Sequence, residues 1–146
     1  MKDFMAEFGV LSSYPRHIVL LFARWMIAYG FTFPALMKIH DMDATARWFE
    51  SYNIPLASLT GMLVSTIEVA GIILLTLGLF TRFISILLCC VMLGAIFFVH
   101  WHHGFSAAQN GFEIPLYYLI FLMIFASYGP GKYSLDYLIF KEERDV

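Results

Sequence analysis

Four long apolar stretches dominate this sequence, and they constrain its fold more than any other feature. One of them, Phe83 to Val99, contains no charged residue. A helix needs about 20 apolar residues to span the hydrocarbon core of a bilayer. Open strand edges are excluded from that core, because their backbone groups would find no water to bind. The pattern therefore predicts an all-α integral membrane protein.

The four predicted spans cover about 18–37, 56–80, 83–100 and 112–128. Only Thr81 and Arg82 separate the second apolar run from the third. A connection this short forces the two helices into an antiparallel hairpin. We therefore predict a single domain, residues 1–146, that folds in the lipid bilayer as an antiparallel four-helix bundle.

Composition excludes several other classes of protein. The chain is 60% hydrophobic and 14% charged, whereas an average soluble domain is about 45–50% apolar and about 25% charged. A net charge of −2 provides no basic surface, so nucleic acid is excluded as a partner. The two cysteines, Cys89 and Cys90, are adjacent and cannot build a disulfide framework.

Lysine and arginine near the membrane predict the orientation, because they collect on the cytoplasmic side. With four spans, both termini lie on the same side of the membrane. That side carries Lys2, Arg16, Arg82, Lys132, Lys141 and Arg144, and the other side carries Lys38 and Arg47. The sequence thus predicts a multi-pass protein of the cell (inner) membrane with both termini in the cytoplasm.

Two short helices are predicted outside the spans. In the first outer loop, Asp43 is placed to cap a helix from Ala44 to Tyr52 that lies on the membrane surface. Beyond the fourth span, after a Gly-Pro-Gly breaker, Ser134 or Asp136 is placed to start a short amphipathic helix.

Arg24 and Glu68 are charged residues inside predicted spans. Each such charge costs about 2.5–3.5 kcal/mol on insertion scales, so the two are expected to meet. The two residues are predicted at similar depths in the membrane, and each lies on a helix face that could turn toward the other helix. Arg24 shares a helix face with Ala28, Phe31, Ala35 and Lys38, and Glu68 shares one with Gly61, Ser65 and Gly71. Two interpretations stay open: an ion pair that only orients the bundle, or a catalytic pair in a polar cavity that holds a headgroup or relays protons.

A second group of titratable residues is predicted on the outer side. Lys38, His40, His100 and Glu113 are the candidates for binding a cofactor there. His100 and His103 are three residues apart, so a continuing helix would place both on one face, where they could ligate a metal or haem. The alternative is that histidine and tryptophan simply favour the membrane interface.

Several stretches in order along the chain resemble the DoxX family, within its DoxD-like group. They are Arg24 and the stretch to Lys38, STIEVAGIILLTLGLFTR from Ser65 to Arg82, MLGAIFFVH in the third span, NGFEIPLYYL from Asn110 to Leu119 and YGPGKYSLDYL from Tyr128 to Leu138. The resemblance implies a four-helix membrane bundle. It also maps the family's polar positions onto Arg24, Lys38, Glu68, Arg82, His100 and Glu113.

The resemblance implies a function as well. Named members of the family are subunits of quinone-linked oxidoreductases, which makes quinone the expected cofactor and a redox subunit the expected partner. The alternative is a non-enzymatic accessory, assembly or metal-handling protein that uses the outer histidines. Oligomer formation stays open, because the glycine-rich second and third helices could pack within one chain or between two.

Overall fold

The computed structural model describes residues 15–140, and this part of the chain is helical without any strand. The helices are α1 Arg16–His40, α2 Met42–Ser51, α3 Ala57–Leu77, α4 Thr81–Gly94, α5 Glu113–Tyr128 and α6 Leu135–Ile139. α4 continues as a π-helical turn, Ala95–His100, and two 3-10 turns follow, Trp101–His103 and Ala107–Gln109. Lys2, Lys141 and Arg144, which entered the orientation prediction, lie outside the described residues.

Three of the helices are long and apolar enough to cross a membrane. They are Arg16–His40, Ala57–Leu77 and the helix that runs on from α4, Thr81–His103. α5 is also apolar but has only 16 residues. All four predicted spans are therefore helical, which confirms the all-α prediction, whereas a fourth crossing of the membrane stays a prediction.

The helices pack in pairs around a small core. α1 lies along α3, α4 lies along α5, and α2 lies against α3. The core is formed by Ile27, Ala28, Phe31, Leu75, Ile84, Leu88, Met92, Leu122 and Phe125. Large apolar side chains also cover the outside, and Tyr29 and Phe33 are 82% and 73% exposed. An apolar exterior of this kind matches a lipid surrounding rather than water.

Side-chain contacts define two ends of the bundle. At the terminal end, where α1 and α4 begin and α3 and α5 end, Trp25 Nε1 donates to the Thr76 carbonyl at 3.2 Å. The Lys132 amide donates to His17 Nδ1 at 3.3 Å at the same end. At the loop end, α1 finishes and α3 starts, and α2 and residues 101–112 lie there.

α6 closes the terminal end. Ser134 begins this helix, as one of the two sequence predictions had it, and its hydroxyl accepts from the Tyr137 amide. The Asp136 carboxylate then caps a different helix: its Oδ1 accepts from the Phe80 amide at 2.7 Å and its Oδ2 from the Thr81 amide at 3.0 Å. The start of α4 thus obtains its capping acceptor from a distant part of the chain.

The start of α2 corrects one sequence prediction. α2 runs from Met42 to Ser51 and its cap is Asp41, whose side chain accepts from the Ala44 amide at 2.8 Å. The prediction of Asp43 as the cap is wrong, because Asp43 already lies inside the first turn of α2. An aspartate in that turn favours the helix dipole but cannot reach the amides that a cap satisfies.

This correction can be tested with two alanine variants. We expect Asp41→Ala to lower the free energy of unfolding by about 1 kcal/mol, since it removes a capping acceptor. Asp43→Ala should cost only about 0.3 kcal/mol, because it loses only a favourable charge. Unfolding in mixed detergent–dodecyl sulfate micelles, followed by circular dichroism, measures both. A larger loss for Asp43→Ala would contradict the assigned cap.

Candidate functional site

A buried ion pair joins α1 to α3 within the apolar bundle. Lys38 Nζ lies 2.8 Å from Glu68 Oε1 and 2.7 Å from Glu68 Oε2. The glutamate side chain is 3% exposed and the lysine side chain 16%. It is the only ion pair that the structure shows between residues 15 and 140. The buried Glu68 carboxylate is therefore paired with one cation, Lys38, which is itself partly exposed.

The direction of side chains in helices explains this pairing. Every Cα–Cβ bond in an α-helix tilts toward the N-terminus of that helix. Lys38 lies in the last turn of α1, so its side chain leans back toward the middle of the bundle. α3 runs the opposite way, so Glu68 leans toward the loop end and meets the ammonium group.

Small residues bring the backbones close at this point. On α3 the buried face includes Gly61, Ser65, Glu68 and Gly71, as the sequence predicted. A Cβ on Gly71 would lie only 2.8 Å from Leu88 Cδ1, so α4 packs directly on the α3 backbone. Close packing through small residues is typical of helices in membranes, and it shields the Glu68 carboxylate from the outside.

The predicted pairing of Arg24 with Glu68 is wrong. Arg24 is fully buried, and its Nη2 donates to the Tyr133 carbonyl at 2.6 Å, at the terminal end. Its side chain leans toward the start of α1, away from Glu68. The guanidinium lies against Gly78 instead. The contact is so close that a Cβ on Gly78 would overlap Arg24 Nη1. The two intramembrane charges therefore belong to separate places in the fold.

A half-open cavity of about 940 Å³ lies beside the Lys38–Glu68 pair at the loop end. Pockets for small molecules are usually about 300–1,000 Å³ and are mostly apolar with a few polar groups. The walls here fit that description. Apolar and aromatic residues from five segments form them, among them Phe31, Trp48, Phe49, Val64, Phe98 and Ile114. The polar wall residues include Lys38, Glu68, His100 and Tyr118.

One ring nitrogen of His100, Nε2, has no hydrogen-bond partner among residues 15–140. Its Nδ1 lies 2.7 Å from the Asn110 carbonyl oxygen. A carbonyl only accepts, so Nδ1 must carry the proton. In a neutral imidazole the other nitrogen, Nε2, is then an acceptor. This contact also ties the π-helical turn to the loop that precedes α5.

Tyr118 is the cavity residue that sequence reasoning missed. Its ring lies 5.3 Å from the ring of Phe31, and a Cβ on Gly30 would overlap its hydroxyl. That hydroxyl makes no hydrogen bond to any residue from 15 to 140. Gly30 was the available signal, because a glycine in the middle of an apolar helix often marks a close neighbour.

The other predicted outer residues lie away from the cavity walls. His40 is exposed at the end of α1. Glu113 is engaged by the loop before it, because its Oε2 accepts from the Ala107 amide at 2.9 Å and its Oε1 from the Tyr117 hydroxyl at 3.0 Å. Of the four residues predicted to bind a cofactor, the structure therefore places Lys38 and His100 together at one cavity.

The predicted metal ligands are His100 and His103. His103 Nδ1 lies 3.1 Å from the Val99 carbonyl, so this ring is also held by the backbone. Within residues 15–140 no group of three or more histidine, cysteine or acidic side chains is close enough to hold a metal ion. The metal prediction for the two histidines stays a prediction.

Comparison with known proteins decides the family. The family model described as DoxX matches residues 19–101, which include both partners of the ion pair and all of the cavity-lining residues of α4. The chain belongs to the DoxX family. The predicted resemblance is thereby confirmed, and with its apolar helices this DoxX chain is a membrane protein.

Individual relatives cover nearly the whole DoxX chain. Two proteins of Haemophilus influenzae, both described as uncharacterized, are 29% and 32% identical to it, over 85% and 87% of this chain and 85% and 95% of their own lengths. The inner membrane protein YphA of Escherichia coli is 28% identical over 83% of this chain and 90% of its own length. No solved structure matches this chain.

Proposed function

We propose that this protein binds the headgroup of a membrane quinone in the cavity at the loop end and serves as a membrane subunit of a quinone-linked oxidoreductase. The observation that carries the proposal is the buried Lys38–Glu68 pair in the wall of a mostly apolar cavity of about 940 Å³. A quinone combines an apolar ring and tail with two carbonyl oxygens. It therefore needs apolar walls and one or two hydrogen-bond donors.

The donors in the cavity fit those carbonyl oxygens. An ammonium group has three protons, and the two Glu68 oxygens accept hydrogen bonds from Lys38 Nζ. The remaining proton is free to bind a quinone carbonyl. The Tyr118 hydroxyl is a second donor in the same wall. Glu68 holds the Lys38 ammonium group with two hydrogen bonds, so its role is to position Lys38.

Proton transfer is the further chemistry that these residues could supply. A quinone contributes two-electron redox chemistry that takes up or releases protons. His100 Nε2 carries no proton in this tautomer and can accept one, and His100 lines the same cavity as Lys38. In this proposal Lys38 and Tyr118 orient the headgroup, His100 accepts or returns a proton, and a partner redox subunit supplies the electrons.

The proposal includes a location and a topology. The Escherichia coli relative is named an inner membrane protein, and we place this chain in the same kind of membrane. α5 would cross it as the fourth span, since it packs along α4 and its 16 residues reach about 24 Å. Arg16, Arg82 and Lys132 at the terminal end then face the cytoplasm, as expected from the distribution of positive charge.

Binding of a short-chain ubiquinone to the purified full chain in lipid nanodiscs tests the proposal. Quinones quench tryptophan fluorescence, and Trp48 lies in the cavity wall. We expect saturable quenching by the wild type. The double variant Lys38→Met/Glu68→Met should bind about 10-fold or more weakly, since hydrogen bonds to charged groups contribute about 1.5–3 kcal/mol.

Two further variants make the test specific. Gly94 lines the cavity, and a Cβ there would meet no atom within 4 Å. Gly94→Leu should therefore weaken binding by filling open space without disturbing the ion pair. Arg47→Gln, on the exposed face of α2, serves as the control and should bind like the wild type. Absence of saturable quenching in the wild type, or equal affinity in the double variant, would refute quinone binding.

A further inference from the structure

A second cavity, of about 660 Å³, lies at the terminal end, far along the bundle from the site described above. Three cationic side chains from three separate segments line it: Arg16 at the start of α1, Arg82 at the start of α4 and Lys132 after α5. A convergence of three like charges is unfavourable unless something negative neutralises them.

Within residues 15–140 the protein supplies little neutralisation of these three charges. Arg16, Arg82 and Lys132 form no ion pair with any residue between 15 and 140. Among the described wall residues Asp136 alone is acidic, and both of its carboxylate oxygens already accept hydrogen bonds from the backbone amides of residues 80 and 81. The described residues therefore give the cavity a net positive charge, which favours an anionic ligand.

Two details of the wall concern the position of its nitrogen groups. The His17 Nδ1 accepts the Lys132 amide, so the neutral ring carries its proton on Nε2, which is a donor. Arg82 lies over the backbone of Gly129, where a Cβ would come within 3.2 Å of Nε and 3.6 Å of Nη2. The glycine thus leaves room for the guanidinium beside the turn.

The rest of the wall is apolar and continues onto the lipid-facing surface. Leu20, Phe80, Phe83 and Tyr128 line the cavity, and Phe80 and Phe83 are 55% and 63% exposed. A small anion from solution has no apolar part that could pack against these side chains. The acyl chains of a phospholipid would contact them. Basic pockets between helices at a membrane surface are known to bind anionic headgroups.

We propose that this cavity binds the phosphate of an anionic phospholipid through Arg16, Arg82 and Lys132, with the acyl chains lying against Phe80 and Phe83. The site is independent of the quinone proposal, because it shares no residue with the cavity at the loop end. The bound lipid would neutralise the terminal end and link α1, α4 and the turn after α5.

Electron spin resonance of spin-labelled lipids tests this proposal on the full chain in phosphatidylcholine vesicles. We expect the wild type to prefer labelled phosphatidylglycerol over labelled phosphatidylcholine by about five-fold or more. The variant Arg82→Gln/Lys132→Gln should bring the two lipids close to parity, and Arg82→Gln alone should fall between. Arg47→Gln removes the same charge at the loop end, so it should keep the wild-type preference.

A second arm distinguishes lipid from free phosphate. Binding of radiolabelled inorganic phosphate to the protein in an uncharged detergent is measured by equilibrium dialysis. Phosphate binding that is lost in Arg82→Gln/Lys132→Gln, together with equal binding of both labelled lipids, would overturn the lipid assignment in favour of a free anion. An unchanged lipid preference in that double variant would overturn the site itself, as would absence of both lipid preference and phosphate binding in the wild type.

Discussion

Replacing Lys38 by methionine is expected to lower the free energy of unfolding by about 3–5 kcal/mol, because it leaves the Glu68 carboxylate buried without a cation. The glutamate side chain is only 3% exposed, so water is a poor replacement for the lost partner. No other described cation lies within ion-pair distance of this carboxylate. The measurement is unfolding in mixed detergent–dodecyl sulfate micelles, followed by circular dichroism.

The double variant separates the ion pair from the packing of its side chains. With both charges removed, Lys38→Met/Glu68→Met should recover to within about 1 kcal/mol of the wild type, since apolar replacements of buried pairs are often neutral. Arg47→Met removes an exposed cation that forms no ion pair with residues 15–140, and it controls for the loss of a positive charge at the loop end. Equal losses in Lys38→Met and in the double variant would show that the two residues are not coupled.

The second large effect is expected at Gly78, which ends α3 in the left-handed conformation with φ at +69°. A Cβ there would overlap Arg24 Nη1 and would come within 2.6 Å of Ser134 Cβ. Strain at positive φ costs about 1–2 kcal/mol, and overpacking costs about 1–3 kcal/mol more. We therefore expect Gly78→Ala to lower the free energy of unfolding by about 2–5 kcal/mol.

Gly94→Ala is the matched control for this prediction. Gly94 is helical, and a Cβ on it would meet no atom within 4 Å. Alanine there should stabilise the protein by about 0.5–1 kcal/mol, because glycine is the poorer helix former. The same micelle titration compares both variants. A Gly78→Ala protein as stable as the wild type would mean that Arg24 does not lie against this turn.

The helices and their buried faces could be predicted from the sequence, because both follow from hydrophobic periodicity. On the predicted α1 face Arg24, Ala28, Phe31 and Ala35 are buried, and Lys38 is 16% exposed. The α3 face that contains Glu68 is buried too. Even the helix after the last span began at one of the two residues suggested for it. Local patterns contain this information, so no knowledge of tertiary contacts was needed.

The choice of partner for Glu68 could not be predicted from residue depths alone. Arg24 and Lys38 share one helix face, and depth along the helix axis favoured Arg24. Side-chain tilt decides otherwise, because it carries Lys38 toward Glu68 and Arg24 away from it. Arg24 donates to the backbone carbonyl of Tyr133. Every residue has a backbone carbonyl, so the sequence does not indicate which one is the acceptor.

Tyr118 and the capping role of Asp136 were missed for a similar reason. Tyr118 contacts α1 from α5, and Asp136 caps a helix whose first residue lies 55 positions earlier. Both contacts depend on how helices from distant parts of the chain lie against each other. Periodicity within one helix describes which side is buried, but it does not identify the element that covers that side.

The hydrogen bond between Arg24 and Tyr133 has a consequence for the order of assembly during synthesis. The two residues are 109 positions apart, so α1 enters the bilayer long before its guanidinium acquires this acceptor. The Phe80 and Thr81 amides likewise have no side-chain acceptor until Asp136 has been synthesised. Until the ribosome has produced that later segment, the terminal end keeps polar groups that need water or headgroups. Final closure of this end is therefore a late event, after all four apolar helices have been made.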